Sequence, residues 1–185
     1  MSQTISNFKD GFNGGTRANR FVVGLDVPTG VDAPNTTWYH VIAAKLPESE
    51  LGSISVPYRG RIAHFAGDRD YKPWTVVVLD DTGSTKLWHT FQQWSSLLSN
   101  HATNQVDDKT YKAGVNLKTI KFKQLHDPTT GAAQSEPFDV VREVELYHAW
   151  PSEVGQIGFD MGEGGSLISF PVTFTYDYYK ITTGI

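Results

Sequence analysis

A chain of 185 residues fits a single domain and is long enough to bury roughly 70% of its unfolded surface without help from a metal or a disulfide. Cysteine is absent, which excludes disulfides and thiolate metal sites, and 20 acids against 16 lysines and arginines leave a net charge of −4, the wrong balance for a tight nucleic-acid reader. No run approaches the roughly 20 apolar residues of a membrane span and the first residues carry no signal-like apolar stretch, so a soluble, cytosolic chain is expected.

In chain order, residues 1–18 are polar and glycine-bearing, with Ile5, Phe8 and Phe12 as anchors, and are expected to form an N-terminal arm ordered by contact with something else. Residues 19–185 are expected to form one β domain. Arg20 to Val27 is a first strand, Pro28 to Thr37 a loop, and Trp38 to Lys45 a second strand. From Leu46 to Gly60, Pro47, Gly52 and Pro57 interrupt pairing, and the expectation is a long segment without regular structure. Two further strands, Arg61 to Ala66 and Trp74 to Leu79, flank a charged turn at Gly67-Asp68-Arg69-Asp70. That turn reads either as a solvated cap or as a group of charges reaching a neighbouring copy.

The spacing of Leu87, Phe91, Trp94 and Leu98, widened by Trp88 and Leu97, predicts a helix over Ser84 to Leu98 with one face on a core. Ser84 or Thr82 is its expected cap, and Asp80 and Asp81 complement its dipole. Val115 to Gln124 and Phe138 to Trp150 read as strands joined by a turn-rich connector from Asp127 to Ala133. In the second of these, Val140, Val144, Leu146 and Trp150 share one face, opposite Val141, Glu143, Glu145 and Tyr147. Ile168 to Tyr178 alternates strictly between apolar and mostly polar residues and reads as the last strand. The fold class is mainly β, an antiparallel sandwich or barrel with one packed α-helix.

No chemistry-bearing motif emerges. The serines lack a Gly-x-Ser-x-Gly elbow, the six histidines lack metal-ligand spacing, and Gly162-Glu163-Gly164-Gly165 lacks the lysine of a phosphate cradle. Neither enzymatic activity nor a cofactor is expected.

Several pieces resemble, in order, the tail tube protein family of contractile-tailed bacteriophages. They are Asn19-Arg20-Phe21-Val22-Val23, Ala44-Lys45-Leu46-Pro47, Gly60-Arg61, Ala66-Gly67-Asp68-Arg69, Trp74-Thr75-Val76-Val77-Val78, Phe91-Gln92-Gln93-Trp94, Trp150-Pro151-Ser152-Glu153-Val154-Gly155 and the run from Phe170 to Tyr178. The resemblance implies a hexameric ring that stacks into a hollow tube, with sheets of neighbouring subunits joined into one barrel around a lumen. It further implies a surrounding contractile sheath, baseplate and tail-terminator partners, passage of DNA without tight binding, and a place in the virion tail after synthesis in the host bacterial cytoplasm. A bacteriocin or type VI secretion tube is a related reading, and a small-ligand-binding β-barrel a reading of another class.

The same resemblance implies that the loop after the second strand makes ring-to-ring contact; the competing reading is a lid folded back over its own sheet. Its expected interface residues are Leu46, Pro47, Leu51, Ile54, Val56 and Tyr58, with Arg61, Asp68 and Arg69 at the loop's base fixing its angle. The lumen candidates are Glu143, Glu145, Thr173, Thr175 and Asp177, which make a wall that is acidic or neutral.

Overall fold

The computed structural model describes residues 5, 18–25, 27–28, 30–31, 40–80, 86–106, 113–122, 138–162 and 167–183. The strands run in this order: β1 (Phe21–Leu25), β2 (Val41–Ala44), β3 (Ser49–Tyr58), β4 (Arg61–Tyr71) and β5 (Trp74–Leu79). Helix α1 (Leu87–Leu98) follows, then β6 (Ala113–Phe122), β7 (Phe138–Val154), β8 (Ser169–Thr175) and β9 (Tyr178–Thr183). Nearly all of the expected N-terminal arm, the 127–133 connector and the helix-capping residues Thr82 and Ser84 lie outside the described residues.

Strand β7 organises the architecture. Its first part lies between β6 and β9, with Val144 opposite both Leu117 and Ile181, while its last part, Trp150 to Val154, pairs with β8. One half-sheet therefore runs β1-β6-β7-β9 and the other β7-β8-β5-β2, all antiparallel, and the single long strand carries the curl between them. The bend falls where the register slips between Leu146 and Ala149, and His148 there takes a left-handed φ of 54°. The extra residue reverses the alternation expected from sequence. Val144 and Leu146 are buried before the bend, Ala149 and Pro151 after it, so Trp150 is half-buried and leaves the Val144 face.

One hydrophobic core unites both half-sheets with the helix. Helix α1 contributes Leu87, Phe91, Trp94 and Leu98, as its spacing predicts, together with Thr90. The rings of Phe170 and Phe174 meet Phe91 edge-on at 6.1 and 6.0 Å, and Trp94 stacks along Phe91 at 6.5 Å. Asp80 Oδ1 accepts the Trp88 amide of the first helical turn at 3.4 Å, which is the dipole-complementing place expected for it.

Two boundaries depart from expectation. The last strand is not continuous to Tyr178: β8 ends at Thr175, and the chain turns at Tyr176-Asp177 into β9, which pairs with the first part of β7. The alternation persists through Tyr176 because that side chain still packs on the core, so periodicity alone does not reveal the change of direction. The second departure is the hairpin β3–β4.

Candidate assembly interface

Residues 49–71 form a long two-stranded ribbon rather than an irregular segment followed by a short strand and a turn. The turn lies at Arg59-Gly60, whose φ values of 47° and 80° are those of a two-residue type I′ loop. The expected turn at Gly67-Asp68-Arg69-Asp70 is instead inside β4. Gly67 serves a bulge there, where Gly52 faces both Gly67 and Asp68. A Cβ on Gly67 would lie 3.2 Å from the Gly52 backbone, and one on Gly52 3.2 Å from the Asp68 carbonyl oxygen, so close crossing of the strands is what the glycines permit. Pro57 pairs opposite Ile62 without disrupting the ribbon, because each strand of a two-stranded ribbon has a free edge that tolerates a missing donor.

The ribbon continues the β2–β5 ladder past the end of its half-sheet, and its base is fixed to the body. The Lys72 amide donates to the Glu48 carbonyl at 3.1 Å, and the Trp74 indole donates to the Lys45 carbonyl. Tyr71, Tyr176 and Tyr179 form an aromatic cluster with ring separations of 5.5 to 6.3 Å, and Tyr179 shares a 3.1 Å hydroxyl bond with Ser49. Burial, followed by the neighbouring Tyr179 and Tyr71, pushes the Tyr176 hydroxyl up to about 12. At the surface, Lys72 pairs with Asp70 at 2.9 Å and Glu50 at 3.2 Å. The hydrogen bond and charge of Lys72 lower the Asp70 carboxyl, and the same partners raise the Lys72 ammonium.

Beyond that base the ribbon stands exposed on both faces. Cross-strand partners share a face, so Ile54 with Phe65, Val56 with Ala63, and Tyr58 with Arg61 line one side, while Ser53 with Ala66 and Ser55 with His64 line the other. Ile54 is 55%, Phe65 59% and Tyr58 65% exposed. Arg59 lies over the Tyr58 ring at 5.4 Å.

The expected interface residues are thus only partly together. Leu51, Ile54, Val56 and Tyr58 lie along β3, and Leu46 and Pro47 just before it. Arg61 sits at the tip beside the turn, not at the base, while Asp68 and Arg69 lie at the bulge, about 25 Å away along an extended strand. Arg69 donates to Ser49 Oγ at 3.0 Å within the same chain. Phe65 and Ile62 escape notice in the sequence because Arg61 to Ala66 reads as a strand of the body. A longer search for alternation across the Arg59-Gly60 dipeptide is the signal that finds them.

The expected lumen residues occupy two surfaces. Glu143 and Glu145 lie on the β6-β7-β9 half-sheet, on the face opposite Val144 and Leu146. Tyr147 donates its hydroxyl to Glu145, and Lys180 Nζ lies 4.7 Å from the centre of the Tyr147 ring. Thr173 and Thr175 lie on the other half-sheet, on the face turned away from α1, where Thr173 bonds Thr75 at 3.0 Å. Asp177 sits at the bend, 2.7 Å from His148 Nδ1. Among the described residues no group of three metal-binding side chains converges, and no helix is long and apolar enough to cross a membrane.

A family model for phage tail tube proteins matches residues 16–182. The chain belongs to the phage tail tube protein family. The tail tube protein gp19 of Enterobacteria phage T4 is 26% identical over 138 residues, covering 75% of this chain and 77% of that protein. The tail tube protein of Serratia phage KSP90 is 24% identical over 181 residues, 94% of each. Among solved structures, the PVC sheath–tube complex of an extracellular contractile injection system matches with a TM-score of 0.63 at 14% identity, over 98% of this chain and 99% of that one. The tube-terminating cap of the anti-feeding prophage matches with a TM-score of 0.63 at 15% identity, over 93% of each chain. The curled antiparallel sheet with its packed helix is the fold they share.

This is therefore a tail tube protein of contractile phage-like systems, a structural component of a tail. The ligand-binding-barrel reading is set aside: Trp94, Phe91, Phe170 and Phe174 fill the space between sheet and helix where such a ligand would sit.

Proposed function

We propose that six copies of this chain close into a ring, that rings stack into a hollow tube within a contractile sheath, and that DNA passes through the tube into the host. In this reading residues 19–185 are the ring-forming domain and residues 1–18 an arm that orders on a neighbouring copy. Synthesis takes place in the host bacterial cytoplasm, and baseplate and terminator proteins close the two ends.

The observation that carries the proposal is the exposed ribbon. An isolated two-stranded hairpin is marginally stable in water at best, and this one presents Ile54, Val56, Tyr58 and Phe65 to solvent. Such an element wants a partner surface, and in a closed ring the next ring along the axis is the available one. Leu46, Pro47 and Leu51 extend that contact toward the body, and Asp68 and Arg69 brace the bulge that sets the ribbon's angle. Arg61 acts at the far end.

The test joins Glu48 directly to Lys72 through a short Gly/Ser turn, which is geometrically open because those residues already bond across the ladder. The expected products are folded subunits or single rings without tubes. Tubes of ordinary length from this variant would remove the ribbon from stacking.

A further inference from the structure

The end of the molecule opposite the ribbon also presents apolar side chains to solvent. Strand β5 starts at the ribbon's base with Trp74 and finishes at Leu79, opposite Ser169. Residues 155–162 and 167–168, the described parts between β7 and β8, lie at that far end, held by the Gly155 amide on the Pro171 carbonyl and by the Asp80 amide on the Ile168 carbonyl. There Phe159 is 83%, Leu167 77% and Met161 fully exposed, and all three line a concavity of about 510 Å³ together with Ile168. Removing such side chains from water is favourable, so three together form a surface suited to a partner.

We propose that this surface is the socket for the ribbon of a second copy of this chain. The inference rests on the stacking reading above and names its other half. Two features choose the occupant. First, the two unpartnered apolar surfaces lie at opposite ends of one half-sheet, which is the arrangement of a heterologous, head-to-tail contact that repeats along an axis. A ribbon with arms of ten and eleven residues, about 30 Å at ~3.3 Å per residue, is long enough to span the junction. Second, charge is complementary: Arg59 and Arg61 flank Tyr58 at the exposed tip, and the exposed Asp160 stands between Phe159 and Met161 in the socket. Ile54, Tyr58 and Phe65 then cover Phe159, Met161 and Leu167, while an arginine of the tip pairs with Asp160.

The chain's lack of cysteine makes a direct test clean. Tyr58→Cys and Met161→Cys are introduced together, tubes are assembled from the full chain, and the product is oxidised and run without reductant. The expected result is a ladder of covalent multimers from the double variant in tubes, and none from either single variant or from isolated rings. In parallel, Asp160→Arg, which gives up the exposed turn bond from the Gly162 amide, should leave the subunit folded and reduce tubes to single rings, with Arg59→Glu and Arg61→Glu added to it restoring assembly. Tubes that form normally with Asp160→Arg and give no cross-link would overturn the socket while leaving the tube reading intact. Cross-links within isolated rings would overturn it too, by making the contact lateral. A wild-type chain that forms neither rings nor tubes would instead sink the stacking reading on which the socket rests.

Discussion

The Gly155 amide donates to the Pro171 carbonyl at 2.7 Å, and a Cβ at position 155 would lie 2.5 Å from a Pro171 ring carbon. No side chain fits there without moving the β7–β8 pair. Gly155→Ala should therefore destabilise the protein by about 1–3 kcal/mol, the ordinary range for overpacking, read as a lowered denaturation midpoint. An unchanged midpoint would mean that the strands part at little cost. Tyr176 makes a second claim. Its hydroxyl titrates near 12 in the folded chain and near 10 when unfolded, so the unfolded state releases the proton first. The stability this group contributes is complete below about pH 10 and is lost as pH rises from there through about 12. Melting temperatures across that window should fall less steeply for Tyr176→Phe than for the wild type. Parallel curves would show that the hydroxyl does not couple to folding.

Among the elements, α1 was legible because four bulky residues at helical spacing must share a face, and they do. Trp94 is fully buried against Phe91 and Phe174, so Trp94→Ala should cost about 3–5 kcal/mol, a large part of a domain's roughly 5–15 kcal/mol. Thermal denaturation checks this, and a variant melting with the wild type would contradict the packing. The central strands β5 and β8 were legible for the same kind of reason, since alternation survives wherever one face is buried. The ribbon was not. Its two faces both meet solvent in the single chain, so no burial pattern marks its strands, and Gly67 answers to a bulge rather than to the turn it suggested. The bend in β7 was hidden differently, because His148 is an unremarkable residue for a left-handed conformation set by the meeting of two half-sheets. The β3 residues of the proposed interface stand out in the sequence as apolar side chains in a broken segment, whereas their cross-strand neighbours on β4 are hidden with the register.

At the scale of the whole molecule, the sign of the charge bears on passage. Six copies at −4 each carry 6 × (−4) = −24, which opposes adhesion of DNA to a wall of the proposed tube. If Glu143, Glu145 and Asp177 contribute to that wall, exchanging them for lysine should leave assembly intact and slow DNA ejection, most at low salt where screening is weak. Ejection kinetics unaltered across a salt series would count against an electrostatic role for those acids. The more direct measurement is cryo-electron microscopy of the purified wild-type chain. Stacked six-fold rings, with each β3–β4 ribbon crossing from its own ring to the next, are the predicted result. Monomers at high concentration, or rings whose ribbons fold back on their own subunit, would contradict it.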